Sequence, residues 1–363
     1  MGILAGAKSA VTKASKSKSI LGLCALLAMA VSHASSTSIA TVVQPPIQDL
    51  FSLDKNHHWA LIPNKEKKEF LFRTEDGGDH WTASPLPFQI WRIFFTDASE
   101  GWGIAAEHRG ESVHTFCVHT SDSGLTWQPL GTIAHGGETP SGIVFDSRQH
   151  GWVVGEGVEE GASGAAFVME TDDGGTHWTK LKWTTMPASG FYGVRLYNGE
   201  ALAWSAGSGG SGIYELRPGA TPKKIFDRDT MDLAYLANGS LVAASWSGLY
   251  ERTAGSNDWE ETFQPSEGGF RSLAFVDSQR GCVAGNEMYC TPDGGRTWTR
   301  HALPKVGRKH DTVLIFRLCV ISGDIVWAVS NDAIYEMIGE ARNWTKVDFF
   351  DKGGEPLDSF HRN

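Results

Sequence analysis

Residues 74–81 read TEDGGDHW, and the pattern returns as TSDSGLTW (120–127), TDDGGTHW (171–178) and TPDGGRTW (291–298). The common form is T-x-D-x-G-x-T/H-W. An aspartate at the head of a tight turn accepts hydrogen bonds from the turn's own backbone N–H groups. A glycine two positions later takes a left-handed conformation at little steric cost. The closing tryptophan starts the next strand and offers a large apolar surface to whatever packs beside it. Each residue type thus has a structural task, and the octapeptide reads as a strand–turn–strand fastener. A calcium loop built on Glu75, Asp76 and Asp79 is disfavoured, because the ligand spacing of such loops is absent.

The closing tryptophans fall at 81, 127, 178 and 298. The first gaps hold one repeat each, and the last has room for three. Degraded copies fill it: PKKIF ending at Phe226 and SNDW ending at Trp259. A further degraded copy, ARNW, ends at Trp344. Seven units result. A second landmark precedes each octapeptide, most clearly FTDASEGWGIA (95–105), FDSRQHGWVVG (145–155) and FVDSQRGCVAG (275–285). Apolar and polar residues alternate with β-branched and aromatic enrichment, as in strands, and no helix is expected after residue 40. Each unit predicts four strands.

Repeats of this length cannot bury both faces alone, so neighbours must stack and the series must close. The expected fold is all-β, a seven-bladed β-propeller of four-stranded antiparallel blades. One domain, 35–363, is expected, with blades near 45–87, 90–132, 141–185, 191–230, 231–267, 270–305 and 312–350. A strand near IATVVQ (39–44) is a candidate for closing the ring. The insertions EHRGESVHTF (107–116) and EGVEEGASG (156–164) lengthen the second and third blades and make one side of the ring distinct.

Composition agrees: 41% hydrophobic, 20% charged, 14 tryptophans and 42 glycines describe a folded protein of short strands and tight turns. Residues 1–34 fall outside it. Four lysines precede the apolar run ILGLCALLAMAV (20–31), and small residues follow, which predicts a secretory signal cut after Ala34. The mature chain would be exported, to a periplasm, the extracellular space or a thylakoid lumen. Loss of those lysines takes the formal charge from −10 to −14, which argues against a nucleic-acid partner. Four cysteines remain, and Cys282 and Cys290 flank a predicted hairpin turn at Asn286, in position for a cross-strand disulfide. The cluster His108, His114, Cys117 and His119 lacks regular ligand spacing, and GSGGSG (207–212) opens no helix, so neither a metal nor a phosphate-binding cofactor is expected.

The octapeptide resembles the Asp-box, or bacterial neuraminidase repeat, through Asp76, Gly78 and Trp81; Asp122, Gly124 and Trp127; Asp173, Gly175 and Trp178; and Asp293, Gly295 and Trp298. Together with F-x-D-x-x-x-G-W-V-x-G, and across residues 45–350, the chain looks most like the photosystem II stability/assembly factor family. That resemblance implies a monomeric, non-enzymatic propeller that binds a membrane-protein client and assists its assembly. Photosynthetic members are associated with an arginine-rich client-binding face. No such cluster matches here, but Arg92, Arg195, Arg271 and Arg317 each lie on the first strand of a blade. They are candidates either for a positive axial site that receives client carboxylates or for ion pairs with acids inside the ring.

Asp-box propellers also include sialidases and other glycoside hydrolases, so a carbohydrate-active enzyme or lectin is the alternative. A sialidase needs an arginine triad and an activated tyrosine. WRIFF (91–95) and GFYGVR (190–195) supply the residue types, yet WRIF lacks the proline of the usual sialidase motif. The acid pairs Glu159–Glu160 and Glu260–Glu261 have no evident partner across a cleft.

Overall fold

The computed structural model describes residues 47–357, apart from 110–111, 136–137, 160–161, 183–188, 198, 208, 237, 304–312, 323–324, 331–332, 339–343 and 352. The expected signal (1–34) and the 39–44 segment lie outside the described residues. Twenty-eight strands form seven four-stranded antiparallel sheets, each in sequence order. Blade 1 is β1 (Asp49–Ser52), β2 (His58–Pro63), β3 (Glu69–Thr74) and β4 (Thr82–Pro85). Blade 2 is β5 (Gln89–Phe95), β6 (Gly101–Arg109), β7 (Ser112–Thr120) and β8 (Gln128–His135). Blade 3 is β9 (Thr139–Phe145), β10 (Gly151–Glu159), β11 (Ala162–Thr171) and β12 (Thr179–Lys180). Blade 4 is β13 (Phe191–Tyr197), β14 (Glu200–Ser205), β15 (Gly212–Leu216) and β16 (Lys223–Phe226). Blade 5 is β17 (Asp232–Tyr235), β18 (Leu241–Ala244), β19 (Leu249–Arg252) and β20 (Glu260–Phe263). Blade 6 is β21 (Phe270–Phe275), β22 (Gly281–Gly285), β23 (Met288–Thr291) and β24 (Thr299–His301). Blade 7 is β25 (Ile315–Ser322), β26 (Ile325–Ser330), β27 (Ile334–Ile338) and β28 (Trp344–Val347). The fold is a seven-bladed β-propeller.

The core is divided among the junctions. Seven buried apolar clusters occur, one between each pair of adjacent blades, including Ile47, Leu50, Phe72 and Trp81 against Trp327, Val329 and Phe349 where blade 7 meets blade 1. Burying one Val, Leu, Ile or Phe side chain contributes about 1.5–3 kcal/mol. Packing therefore supplies most of each junction's stability, and polar contacts chiefly set its register. No strand is exchanged between the first and last sheets among the described residues. Closure comes from side chains and from the tail after β28: Phe349 and Phe350 pack edge-on against Phe72, and Asn64 Nδ2 donates to the Gly354 carbonyl at 3.2 Å.

The four octapeptides adopt one geometry. The threonine hydroxyl donates to the aspartate and accepts the N–H of the glycine at the fifth position, as in Thr74 to Asp76 at 2.8 Å and Gly78 N to Thr74 at 3.0 Å. The aspartate also accepts the N–H two residues beyond that glycine, as in His80 N to Asp76 at 2.9 Å. Gly77 and Gly78 have φ of 73° and 95°, which explains the paired glycines. Each turn is tied to the first-to-second turn of its own blade, for example Gly174 N to the Gln149 carbonyl at 2.7 Å. The turns of blades 2 and 3 are also tied to the preceding blade: the indole N–H groups of Trp59 and Trp102 donate to the Ser123 and Gly174 carbonyls. Trp152 stands at the equivalent place on β10, but blade 4 has no complete octapeptide to receive it, and its buried Nε1 has no acceptor.

The degraded landmark of blade 4 differs from the sequence reading. Phe226 is the last residue of β16, whereas Trp81, Trp127 and Trp178 immediately precede or closely precede their fourth strands. It packs on Trp259, at 4.4 Å between ring centroids, inside the junction with blade 5. Cys282 and Cys290 face each other in the β22–β23 register and are joined as a disulfide with Cα atoms 4.1 Å apart.

Candidate functional site

The innermost strand of each blade lines the axis, and the end of the ring where these strands begin is here called upper. Backbone and side chains on them form a belt that crosses all seven junctions. Asp49 accepts Ile93 N at 2.9 Å, Arg92 Nε donates to the Ser141 carbonyl at 2.7 Å, and Ser141 Oγ donates to the Phe191 carbonyl at 2.6 Å. Arg195 Nη2 pairs with Asp232 at 3.0 Å, and Asp232 accepts Ser272 Oγ and Leu273 N at 2.8 and 3.0 Å. Ser272 Oγ in turn accepts Leu318 N at 3.0 Å, and Arg317 Nη1 on Asp49 closes the circle. Asp49 and Asp232 are buried acids, each shared by three blades. Burial works against the charge of Arg317, but the Asp49 and Asp232 carboxylates outweigh it and raise its pKa.

The four arginines are therefore not one cluster. Arg195 and Arg317 are ion-paired within the ring, and Arg92 is satisfied by the Ser141, Gln48 and Trp91 carbonyls. Arg271 differs. No described carboxylate pairs with it, its Nε is buried without an acceptor, and its guanidinium lies 4.5 Å from the Trp246 ring centroid and 5.8 Å from that of Phe316. Burial lowers its pKa.

A local irregularity accounts for the difference. The β5, β9, β13, β21 and β25 strands each carry a bulge near their upper ends, which places Trp91, Ser141, Tyr192, Arg271 and Phe316 out of register with the second strand. A bulge re-aims one side chain. Arg271 is itself the bulged residue of its blade, whereas Arg92 and Arg317 follow theirs and point into the next junction. At the upper mouth Arg271 meets Phe316, and Tyr192 lies within electrostatic reach of Arg271, Asp229 and Glu156.

Trp246, in the turn between β18 and β19, completes this group and is 40% exposed. Gly269 holds it there: a Cβ at that position would come within 2.6 Å of the Trp246 Cα. Trp246 also lines an open depression of about 390 Å3 with Gly207, Ser211, Arg228, Asp229, Ser245 and Ser247. Sequence reasoning found Arg271, offered Tyr192 within GFYGVR (190–195) only as a sialidase-type tyrosine, and missed Asp229, Trp246 and Phe316. The available signal was a tryptophan set in ASWSG (244–248), a Ser/Gly turn with no apolar neighbours to bury it.

The other sequence candidates do not converge. Cys117 is fully buried beside Gly175, and burial pushes its thiol pKa up. His119 bonds to Glu100 at 2.8 Å and His114 to Thr132 at 2.8 Å. Among the described residues no three His, Cys, Asp or Glu side chains are placed to hold a metal ion. Burial raises the Tyr192 pKa, the direction opposite to the activation a tyrosine nucleophile requires.

This chain is similar in fold to YCF48. It matches YCF48 bound to a D1 peptide with a TM-score of 0.57 at 20% identity, covering 82% of this chain and 93% of that one. YCF48 from Cyanidioschyzon merolae gives 0.56 at 18% identity, covering 82% and 96%. An ancestral GH74 enzyme gives 0.51 at 11% identity, covering 88% of this chain and 49% of that one. Identities this low establish the shared propeller and leave function to the site. No family model matches the sequence, and no curated protein matches it.

Proposed function

We propose that this chain is an exported, non-enzymatic propeller that binds a protein client, a membrane protein or its exported segment, and assists assembly or stability of a membrane complex. One observation carries the reading: the likeness to YCF48, one of whose structures holds a D1 peptide, extends over 93% of that chain. On this reading the octapeptides are Asp-boxes with a purely structural task, residues 1–34 are a cleaved signal, and the mature protein acts as a monomer. The client's footprint falls on the upper face. There the β6–β7 and β10–β11 hairpins, with strands of nine or ten residues, project beyond the four- to six-residue second and third strands of the other blades. The positive axial site narrows to Arg271, because Arg92, Arg195 and Arg317 brace the ring.

The test is cross-linking of a tagged copy in intact cells, with partners identified by mass spectrometry. A variant carrying Glu107→Lys and Glu156→Lys on the two long hairpins is run beside it. A membrane protein captured by the natural form and lost by the still-folded variant is the expected result. Equal capture by both forms removes the footprint, and capture of no membrane protein by either removes the client reading.

A further inference from the structure

Blades 2 and 3 fill one pair of equivalent places with the same two residue types in opposite order. In blade 2, Glu100 precedes β6 and His119 stands opposite Trp102 on β7. In blade 3, His150 precedes β10 and Glu170 stands opposite Trp152 on β11. His119 Nε2 meets Glu100 Oε1 at 2.8 Å, and His150 Nε2 meets Glu170 Oε1 at 3.0 Å. The exchange changes what each pair carries. Glu100 turns its second oxygen to Arg148 of blade 3, at 3.4 Å, and Trp102 adds its bond to the Gly174 carbonyl. A guanidinium keeps its charge at every pH a folded protein meets. At the next rim the indole tie is missing, because Trp152 Nε1 has no acceptor. Among the described residues one hydrogen bond crosses that rim, from Gly219 N in the β15–β16 turn of blade 4 to Glu170 Oε1 at 3.0 Å.

Both ring nitrogens of His150 face carboxylates. Nδ1 lies 2.9 Å from Asp146 Oδ2 and Nε2 lies 3.0 Å from Glu170 Oε1, with Asp172 Oδ1 at 3.9 Å. An ionised carboxylate only accepts, so the two bonds coexist only when both nitrogens carry protons. The charged groups facing the ring are all acids: Asp146 from the β9–β10 turn, Glu170 from the end of β11 and Asp172 from the octapeptide turn. Trp152 of β10 packs edge to face with it at 4.3 Å, and blade 4 brings the uncharged Gly219 N–H to the shared oxygen. Burial works against the imidazolium, but the bonds to Glu170 and Asp146 outweigh it and raise the His150 pKa.

We propose that His150 is a pH-sensitive latch: as the imidazolium it holds Glu170 against the Gly219 amide and fastens the β15–β16 turn to blade 3, and as the neutral ring it lets that turn go. Either neutral tautomer sets a nitrogen lone pair against a carboxylate oxygen. It also leaves Glu170, which is 9% exposed, with no cation paired to it among the described residues. A buried carboxylate without a countercharge is unfavourable, and turning toward water costs it the Gly219 bond. The folded value of His150 is the raised one. The bonds are therefore complete below the ordinary histidine pKa and are lost as pH rises through the raised value. The latch closes in acid and opens toward alkaline pH. It is independent of the protein-client reading, which rests on the fold comparison and the long hairpins.

The experiment follows hydrogen exchange of the purified full chain by mass spectrometry at about pH 5.5 and about pH 8.5, on either side of the histidine range. Each rate is divided by the intrinsic chemical rate at that pH. The segment 212–226, which holds Gly219, is expected to lose about tenfold in protection at the higher pH, the span of a hydrogen bond to a charged group. The blade 6 octapeptide turn (291–298), whose Asp293 is held by Thr297 and not by a histidine, should keep its protection. His150→Gln should show the alkaline level of protection at both pH values. Glu170→Gln leaves Gly219 an uncharged acceptor and should also remove the pH dependence, so the test stands if circular dichroism shows that the first substitution disturbs the fold. The proposal is overturned if 212–226 is equally protected at both pH values, if 291–298 loses protection to the same extent, or if the pH dependence survives in a folded variant.

Discussion

Trp102 and Trp152 occupy the same place on β6 and β10, both fully buried, and differ in one hydrogen bond. Trp102 Nε1 reaches the Gly174 carbonyl at 3.1 Å, and Trp152 Nε1 reaches no acceptor. Replacing each by phenylalanine removes similar apolar surface. Trp102→Phe also loses a satisfied bond and leaves a carbonyl bare, while Trp152→Phe removes an unsatisfied donor. Trp102→Phe should therefore cost about 1 kcal/mol more than Trp152→Phe, measured by urea unfolding of the two variants. Equal costs would mean that the Trp102 bond adds nothing net. The tryptophans themselves were legible in the sequence. The missing acceptor followed from blade 4 lacking the octapeptide, which the spacing had also disclosed. Arg271 was not separable from Arg92 and Arg317 in the sequence, because strand alternation has a period of two and one bulged residue exchanges the faces.

The octapeptide turn is the element that repeats, and its fit to the neighbouring blade is tighter than its sequence pattern suggests. Gly175 has φ of 94°, and a Cβ there would lie 2.9 Å from Cys117 Sγ in blade 2. Gly199, in the β13–β14 turn, has φ of 78° but open space around the added atom. Both Gly→Ala changes carry the left-handed penalty of about 1–2 kcal/mol, and only Gly175→Ala adds a clash with the core. Gly175→Ala should lower the melting temperature clearly more than Gly199→Ala. Matching losses would show that Cys117 moves aside freely. Complete octapeptides identified blades 1, 2, 3 and 6 well, since their turn chemistry is local. In blade 4 the apolar Phe226 drew the reading four residues along the fourth strand, because an aromatic that packs in a junction can sit anywhere along the buried face.

For the ring as a whole, Asp49 and Asp232 perform the same task in different settings. Each takes an arginine from the preceding blade and a backbone N–H from the next. Each substitution leaves a buried backbone N–H without its acceptor and a partly exposed arginine without its acid, so Asp49→Ala and Asp232→Ala should destabilise comparably, by about 1–3 kcal/mol. Asp232 joins blades that the chain already connects in sequence. Asp49 meets Arg317 across a separation of 268 residues, with no covalent link to restrain blade 7 against blade 1. Asp49→Ala is therefore expected to accelerate amide hydrogen exchange selectively in β1 and β25, and Asp232→Ala to do so without preference for those strands. Exchange that rises uniformly in both variants would show that the ring opens at no preferred place. The propeller and its blade count were readable because repetition is a property of sequence. The belt was not, because its members are Asp, Arg and Ser in turn and share a location without sharing a residue type.

The continuity of every blade has a further consequence. Since no strand is shared between the first and last sheets among the described residues, and the tail after β28 already lies against blade 1 at Asn64, the order of the described blades around the circle does not depend on which blade comes first in the chain. A permuted gene that links the segment after β28 to the segment before β1 and opens at another inter-blade connection would encode the same circle, with the covalent break moved to a different junction.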